Sequence, residues 1–130
     1  MNPNESAKKI LIIEDERSLR EAIVDILELK NFIPLSAKNG KEGVEIALKE
    51  HPELILLDLI MPEMDGMAAF KEIRGDTWGE KVPIIILTNL SANNERFMTD
   101  MVTHNSTYYL IKSDWKLHSI IEKIEEILEK

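Results

Sequence analysis

The sequence predicts an α/β fold: one doubly wound parallel sheet of five strands, with five helices covering both faces. Three observations predict it. Short continuous aliphatic runs recur along the chain, as in strands buried on both faces. Between them the apolar residues shift to helical spacing. The two patterns alternate to the end of the chain, which is how a parallel sheet wrapped by helices reads.

Residues 1–7 read as a loose polar tail and residues 8–130 as a single domain. Lys8 to Ile13 is the first strand, and it runs into Glu14-Asp15-Glu16. Glu16 to Lys30 is a helix with Leu19, Ala22, Ile23, Ile26 and Leu27 inward, and Asn31 is its expected stop. Phe32 to Ala37 is a weaker strand, and Pro34 within it points to a sheet edge. Asn39 is a good N-cap for a helix to about Glu50, with Val44, Ala47 and Leu48 inward. His51-Pro52 closes it. Leu54 to Asp58 is the third strand, broken by Pro62 and Asp65-Gly66 before a helix from about Asp65 to Arg74. A loop over 75–81 carries Trp78. Ile84 to Leu87 is the fourth strand and stops at Thr88. Ser91 caps an expected fourth helix over 92–104, and Asn105 ends it. Tyr108 to Ile111 is the fifth strand, ending at Lys112. Ser113 or Asp114 caps the fifth helix, whose inward stripe is Leu117, Ile120, Ile121, Ile124, Ile127 and Leu128.

Composition narrows the function. A chain of 130 residues with 44% hydrophobic and 31% charged residues can bury an ordinary core. The net charge of -8 disfavours nucleic acid and an anionic membrane surface as direct partners. Without cysteine, thiol nucleophiles, disulfides and Cys-based zinc sites are excluded. No apolar run reaches the ~20 residues that span a bilayer, and Met1 to Ala7 lacks the apolar core of a signal peptide. A cytoplasmic location is the expectation.

The reactive group is expected at Asp58. Four aliphatics, Leu54-Ile55-Leu56-Leu57, lead straight into this carboxylate. A charge inside a buried strand would cost several kcal/mol. The cost falls if Asp58 is the last strand residue and faces a crevice beyond the sheet. Ligands of open parallel sheets bind in that crevice. The other strand ends carry Glu14 and Asp15, Thr88, and Lys112. Side by side, they would bring three carboxylates, a hydroxyl and an ammonium into one place. Packed carboxylates repel unless a cation compensates. A hard divalent ion such as Mg²⁺ does so with oxygen ligands. That set suits phosphoryl transfer, in which positioning and charge stabilisation dominate. A carboxylate can be the nucleophile and form an acyl phosphate.

These residues resemble the receiver domains of two-component response regulators. The matching features are Ile12-Ile13-Glu14-Asp15-Glu16, Leu57-Asp58 with Met61-Pro62 and Asp65-Gly66, Thr88, and Tyr109-Leu110-Ile111-Lys112. They cover about residues 8–129 in the family's order and spacing. The resemblance implies a flavodoxin-like sheet in the order 2-1-3-4-5. It implies that Asp58 accepts a phosphoryl group from a phosphohistidine of a sensor histidine kinase or phosphotransfer protein. Glu14, Asp15, Asp58 and the backbone carbonyl of Ile60 would hold Mg²⁺. Thr88 and Lys112 would contact the phosphoryl group, and Thr88 with Tyr109 would form a switch pair. The surface of the fourth helix, fifth strand and fifth helix would then be read by a downstream protein. The length resembles stand-alone members. Ser113 stands where the family usually has Pro, Asn89 where it has a small residue, and Asn105-Ser106 where it has Gly-Ala.

Two other functions compete. A Mg²⁺-dependent aspartyl-phosphate phosphatase would need an acid two residues after the nucleophile, where this chain has Ile60. A pseudo-receiver that only binds partners would not need Asp15, Asp58, Thr88 and Lys112 together. His51, His104 and His118 lack metal-ligand spacing and are expected at the surface.

Overall fold

The computed structural model describes residues 7–58, 66–88, 106–111 and 117–128. The strands are β1 (Lys9–Ile13), β2 (Ile33–Ala37), β3 (Leu54–Asp58), β4 (Ile84–Thr88) and β5 (Thr107–Ile111). They form one parallel sheet in the order β2-β1-β3-β4-β5. The described helices are α1 (Arg17–Leu29), α2 (Gly40–Glu50), α3 (Gly66–Arg74) and a C-terminal helix (Leu117–Leu128). The expected fourth helix, over 92–104, lies outside the described residues, as do its caps Ser91 and Asn105.

Strand side chains alternate faces, and the core divides accordingly. Leu11, Ile13, Ile55, Leu57, Ile84 and Ile86 pack on one face with residues of α2 and α3. Ile10, Ile12, Leu54, Leu56, Ile85 and Leu87 pack on the other with α1 and the C-terminal helix. The central runs therefore need apolar residues at every position. The C-terminal helix buries Ile120, Ile121 and Ile124, with Leu117, Ile127 and Leu128 packed beside them, as its periodicity predicts.

Local signals in the sequence are realised at several ends. The Asn39 side chain accepts from the Glu42 amide at 2.8 Å, capping α2, and Glu42 returns a bond to the Lys38 amide at 2.7 Å. Asn31 takes a left-handed conformation after α1, φ 68°, and His51 does so after α2, φ 49°. Before β5 the left-handed residue is Ser106, φ 62°.

One inward residue differs from expectation. Leu48 is exposed, not inward. The buried stripe of α2 is Gly40, Gly43, Val44 and Ala47, with Ile46 half-buried beside it. Gly43 sets this orientation, because a Cβ there would stand 2.7 Å from Ile13 Cγ1. The helix presses its smallest residues onto β1, and Leu48 lies about 100° further round.

The loop over 75–81 contains a short 3-10 turn, Trp78–Glu80. Trp78 packs on the core and its ring stacks on exposed His51 with centroids 4.6 Å apart. Arg74 gathers this end of the molecule. Its guanidinium donates to the carbonyls of Gly79 (2.9 Å), Val82 (2.7 Å) and Ser106 (3.1 Å) and to Thr107 Oγ1 (2.8 Å). Burial brings its pKa down to about 10, which still leaves it charged at neutral pH.

Candidate functional site

Strands β1 and β3 are neighbours although β2 lies between them in sequence. The chain leaves β1 for one edge, then crosses over to build the sheet in the other direction. This reversal opens a crevice beyond the carboxyl ends of β1 and β3. Ile13 of β1 pairs with Leu57 of β3. The next residue on each strand path is an acid, Glu14 on one side and Asp58 on the other.

Glu14 is fully buried, Asp58 is 5% exposed, and Asp15 is exposed. Apolar strands place the first two. Ile10 to Ile13 and Leu54 to Leu57 are all 0% exposed, and their ends carry the acids to the rim of the core. Carboxylate oxygens of Glu14, Asp15 and Asp58 lie within 4.8 Å of one another. The expectation that separate strand ends bring these acids together holds for all three.

The turn carrying the first two acids is tied down on several sides. The Glu14 amide donates to the Ala37 carbonyl of β2 at 3.1 Å. The Glu14 carboxylate accepts from the Glu16 amide at 3.1 Å. Arg20, in the first turns of α1, donates to the carbonyls of Glu14 (2.8 Å) and Asp15 (3.4 Å). Sequence reasoning missed Arg20. Its signal was present, since a side chain four residues after Glu16 points back over the turn before a helix.

Three carboxylates this close repel one another, and a divalent cation with oxygen ligands relieves that repulsion. The donor set is all oxygen and all acidic, so these residues fit Mg²⁺. Thr88 closes β4 and pairs with Ile111 of β5. Tyr109 lies on β5, pairs with Ile86, and is 40% exposed. Ile60, Lys112, Asn89 and Ser113 lie outside the described residues. None of the described helices is long and apolar enough to cross a membrane.

Comparison with known proteins identifies the family. The model of the response regulator receiver domain family matches residues 10–125. A protein-glutamate methylesterase/protein-glutamine glutaminase of Archaeoglobus fulgidus is 32% identical over 123 residues, 94% of this chain and 34% of that protein. "Probable transcriptional regulator ycf27" of Porphyridium aerugineum is 40% identical over 89 residues, 68% of this chain and 36% of that protein. The chain thus spans about a third of the length of these relatives. Among solved structures, the receiver domain of a sensor histidine kinase from Pseudomonas aeruginosa PAO1 superposes with a TM-score of 0.79 at 25% identity. That match covers 96% of this chain and 100% of the other, which holds a magnesium ion in its active-site cleft. The buried acids at the switch point and a family match along nearly the whole chain lead to one conclusion: this chain belongs to the response regulator receiver domain family.

Proposed function

We propose that this chain is a phosphoacceptor signalling module, modified on Asp58 by a phosphohistidine of a sensor histidine kinase or phosphotransfer protein. One observation carries the reading. Asp58 ends a fully apolar strand at the rim of the core, with two further carboxylates within 4.8 Å. A structural role gives no reason to gather three like charges at the ends of two neighbouring strands.

Glu14, Asp15, Asp58 and the Ile60 carbonyl would hold Mg²⁺. When bound, the ion supplies positive charge that offsets the acids and the incoming phosphoryl oxygens. The residues of the chain do the rest. An Asp58 carboxylate oxygen attacks phosphorus as the bond to the imidazole nitrogen breaks. The ring, protonated on its other nitrogen before transfer, takes the electron pair of the broken bond and leaves as neutral histidine, and an acyl phosphate remains on Asp58. The Lys112 ammonium pairs with a phosphoryl oxygen, and the Thr88 hydroxyl donates to another. Tyr109 turns inward as Thr88 moves toward the phosphoryl group. The surface of the segment 92–104, β5 and the C-terminal helix then changes and is read by a downstream protein. We propose that the module acts in the cytoplasm, without contacting nucleic acid or membrane directly.

The experiment is incubation with a small phosphodonor, with Mg²⁺ or with a chelator. Phosphoprotein is expected only with Mg²⁺. Equal modification under both conditions would remove the metal from this account, and no modification under either would favour a pseudo-receiver.

A further inference from the structure

We propose that Arg20 is a positioning residue for the acidic site: its guanidinium fixes the Glu14–Glu16 turn so that the carboxylates stand preset for a divalent cation. The inference rests on the metal-binding reading above and adds to it a residue outside the ligand set.

The turn has two jobs that conflict. It must hold one carboxylate buried and the next exposed, close to a third on another strand. Mutual repulsion works to spread them. The backbone must therefore be restrained by something other than the acids. Ala37 restrains the β2 side, through the bond from the Glu14 amide at 3.1 Å. On the α1 side the Glu16 amide donates to the Glu14 carboxylate at 3.1 Å, and the restraint on the carbonyls is Arg20. Its backbone amide makes the opening bond of the helix, to the Glu16 carbonyl, at 2.9 Å. Its Nη1 reaches back to the Glu14 carbonyl at 2.8 Å and the Asp15 carbonyl at 3.4 Å. One residue thus grips three successive carbonyls of the acid-bearing turn. Two carbonyls are turned toward α1, which leaves the side chains of Glu14 and Asp15 to converge with Asp58.

Charge and position predict opposite signs, so they can be separated. A cation beside the acids weakens the binding of a second cation. If charge were all, removing Arg20 would tighten metal binding. If position matters more, removal loosens it. Groups that orient metal ligands typically contribute about 10–100-fold in affinity.

The test uses Mn²⁺ as the probe, with free ion measured by its paramagnetic resonance signal and Mg²⁺ added as competitor. Wild type, Arg20→Ala, Arg20→Gln and Arg20→Lys are compared, with metal-free melting curves for each. Arg20→Ala is expected to bind about 10-fold more weakly. Arg20→Gln, which keeps a donor but no charge, should fall between Ala and wild type, and Arg20→Lys should recover part of the loss. Affinity that is unchanged or tighter in both Ala and Gln variants would overturn the proposal. If Arg20→Ala fails to fold, Arg20→Gln decides alone, since charge and position still predict opposite signs for it. A wild type that binds no Mn²⁺ would overturn the metal reading itself, and this inference with it.

Discussion

The three acids are not equivalent, and their differences follow from where each strand runs out. Glu14 and Asp58 are carried to the core rim by strands with no exposed residue, whereas Asp15 is one step further into solvent. The placement of Asp58 was legible because an aliphatic run rarely ends in an acid without reason. Arg20 was passed over despite its spacing from Glu16, because a lone arginine on a helix usually signals only a solvated charge. Arg74 was missed for the same cause, yet it donates to four carbonyls and a hydroxyl at the end of the sheet away from the acids. Truncating it strands those buried acceptors. Arg74→Ala should lower stability by about 2–4 kcal/mol, read as a shift of the urea midpoint with little change in slope. A shift below about 0.5 kcal/mol would mean that water replaces the guanidinium at little cost.

At the scale of elements, period decides what can be read. The alternation of aliphatic runs with helical stripes specified all five strands and the described helices. The inward stripe of α2 was only partly legible, since hydropathy favours Leu48 whereas close approach to Ile13 favours Gly43. Packing distance is a tertiary quantity, and a hydropathy pattern does not contain it. Pro34 was legible as an edge residue, and the register gives the reason. The Ile33 amide donates to the Lys8 carbonyl at 2.8 Å, so alternate residues 33, 35 and 37 face β1 and residues 34 and 36 face the open edge. Proline therefore removes a donor where another strand could dock. Ile33 is 39% exposed on that strand. Pro34→Val should leave the fold intact and raise self-association, measured by sedimentation over a concentration series. A variant that self-associates no more than wild type would show that Pro34 does not guard the edge.

At the scale of the molecule, the site is a charge problem placed at a topological reversal. The net charge of -8 adds a background repulsion to the local one among Glu14, Asp15 and Asp58. Metal-free protein should therefore gain stability when one acid is neutralised. Asp15→Asn is expected to raise the metal-free melting midpoint by about 2–4 °C. Mg²⁺ should raise the wild-type midpoint by mass action and leave the variant nearly unmoved. An identical Mg²⁺ shift in both proteins would place the ion elsewhere. The reversal of strand order between β1 and β3 explains why residues 14 and 58 meet at all. The alternation of elements gives a parallel sheet but not its strand order, which only the family resemblance implied. The roles of Ile60 and Lys112 rest on the family resemblance, since both lie outside the described residues.

The central claim is that Asp58 is the group that takes the phosphoryl. The most direct measurement is intact mass after incubation with a small phosphodonor and Mg²⁺, for wild type and Asp58→Asn. Asn keeps the size of the side chain and removes the nucleophilic carboxylate. The account predicts a gain of one phosphoryl group in wild type and none in Asp58→Asn. Equal modification of both proteins would contradict it, because the phosphoryl group would then sit on another residue.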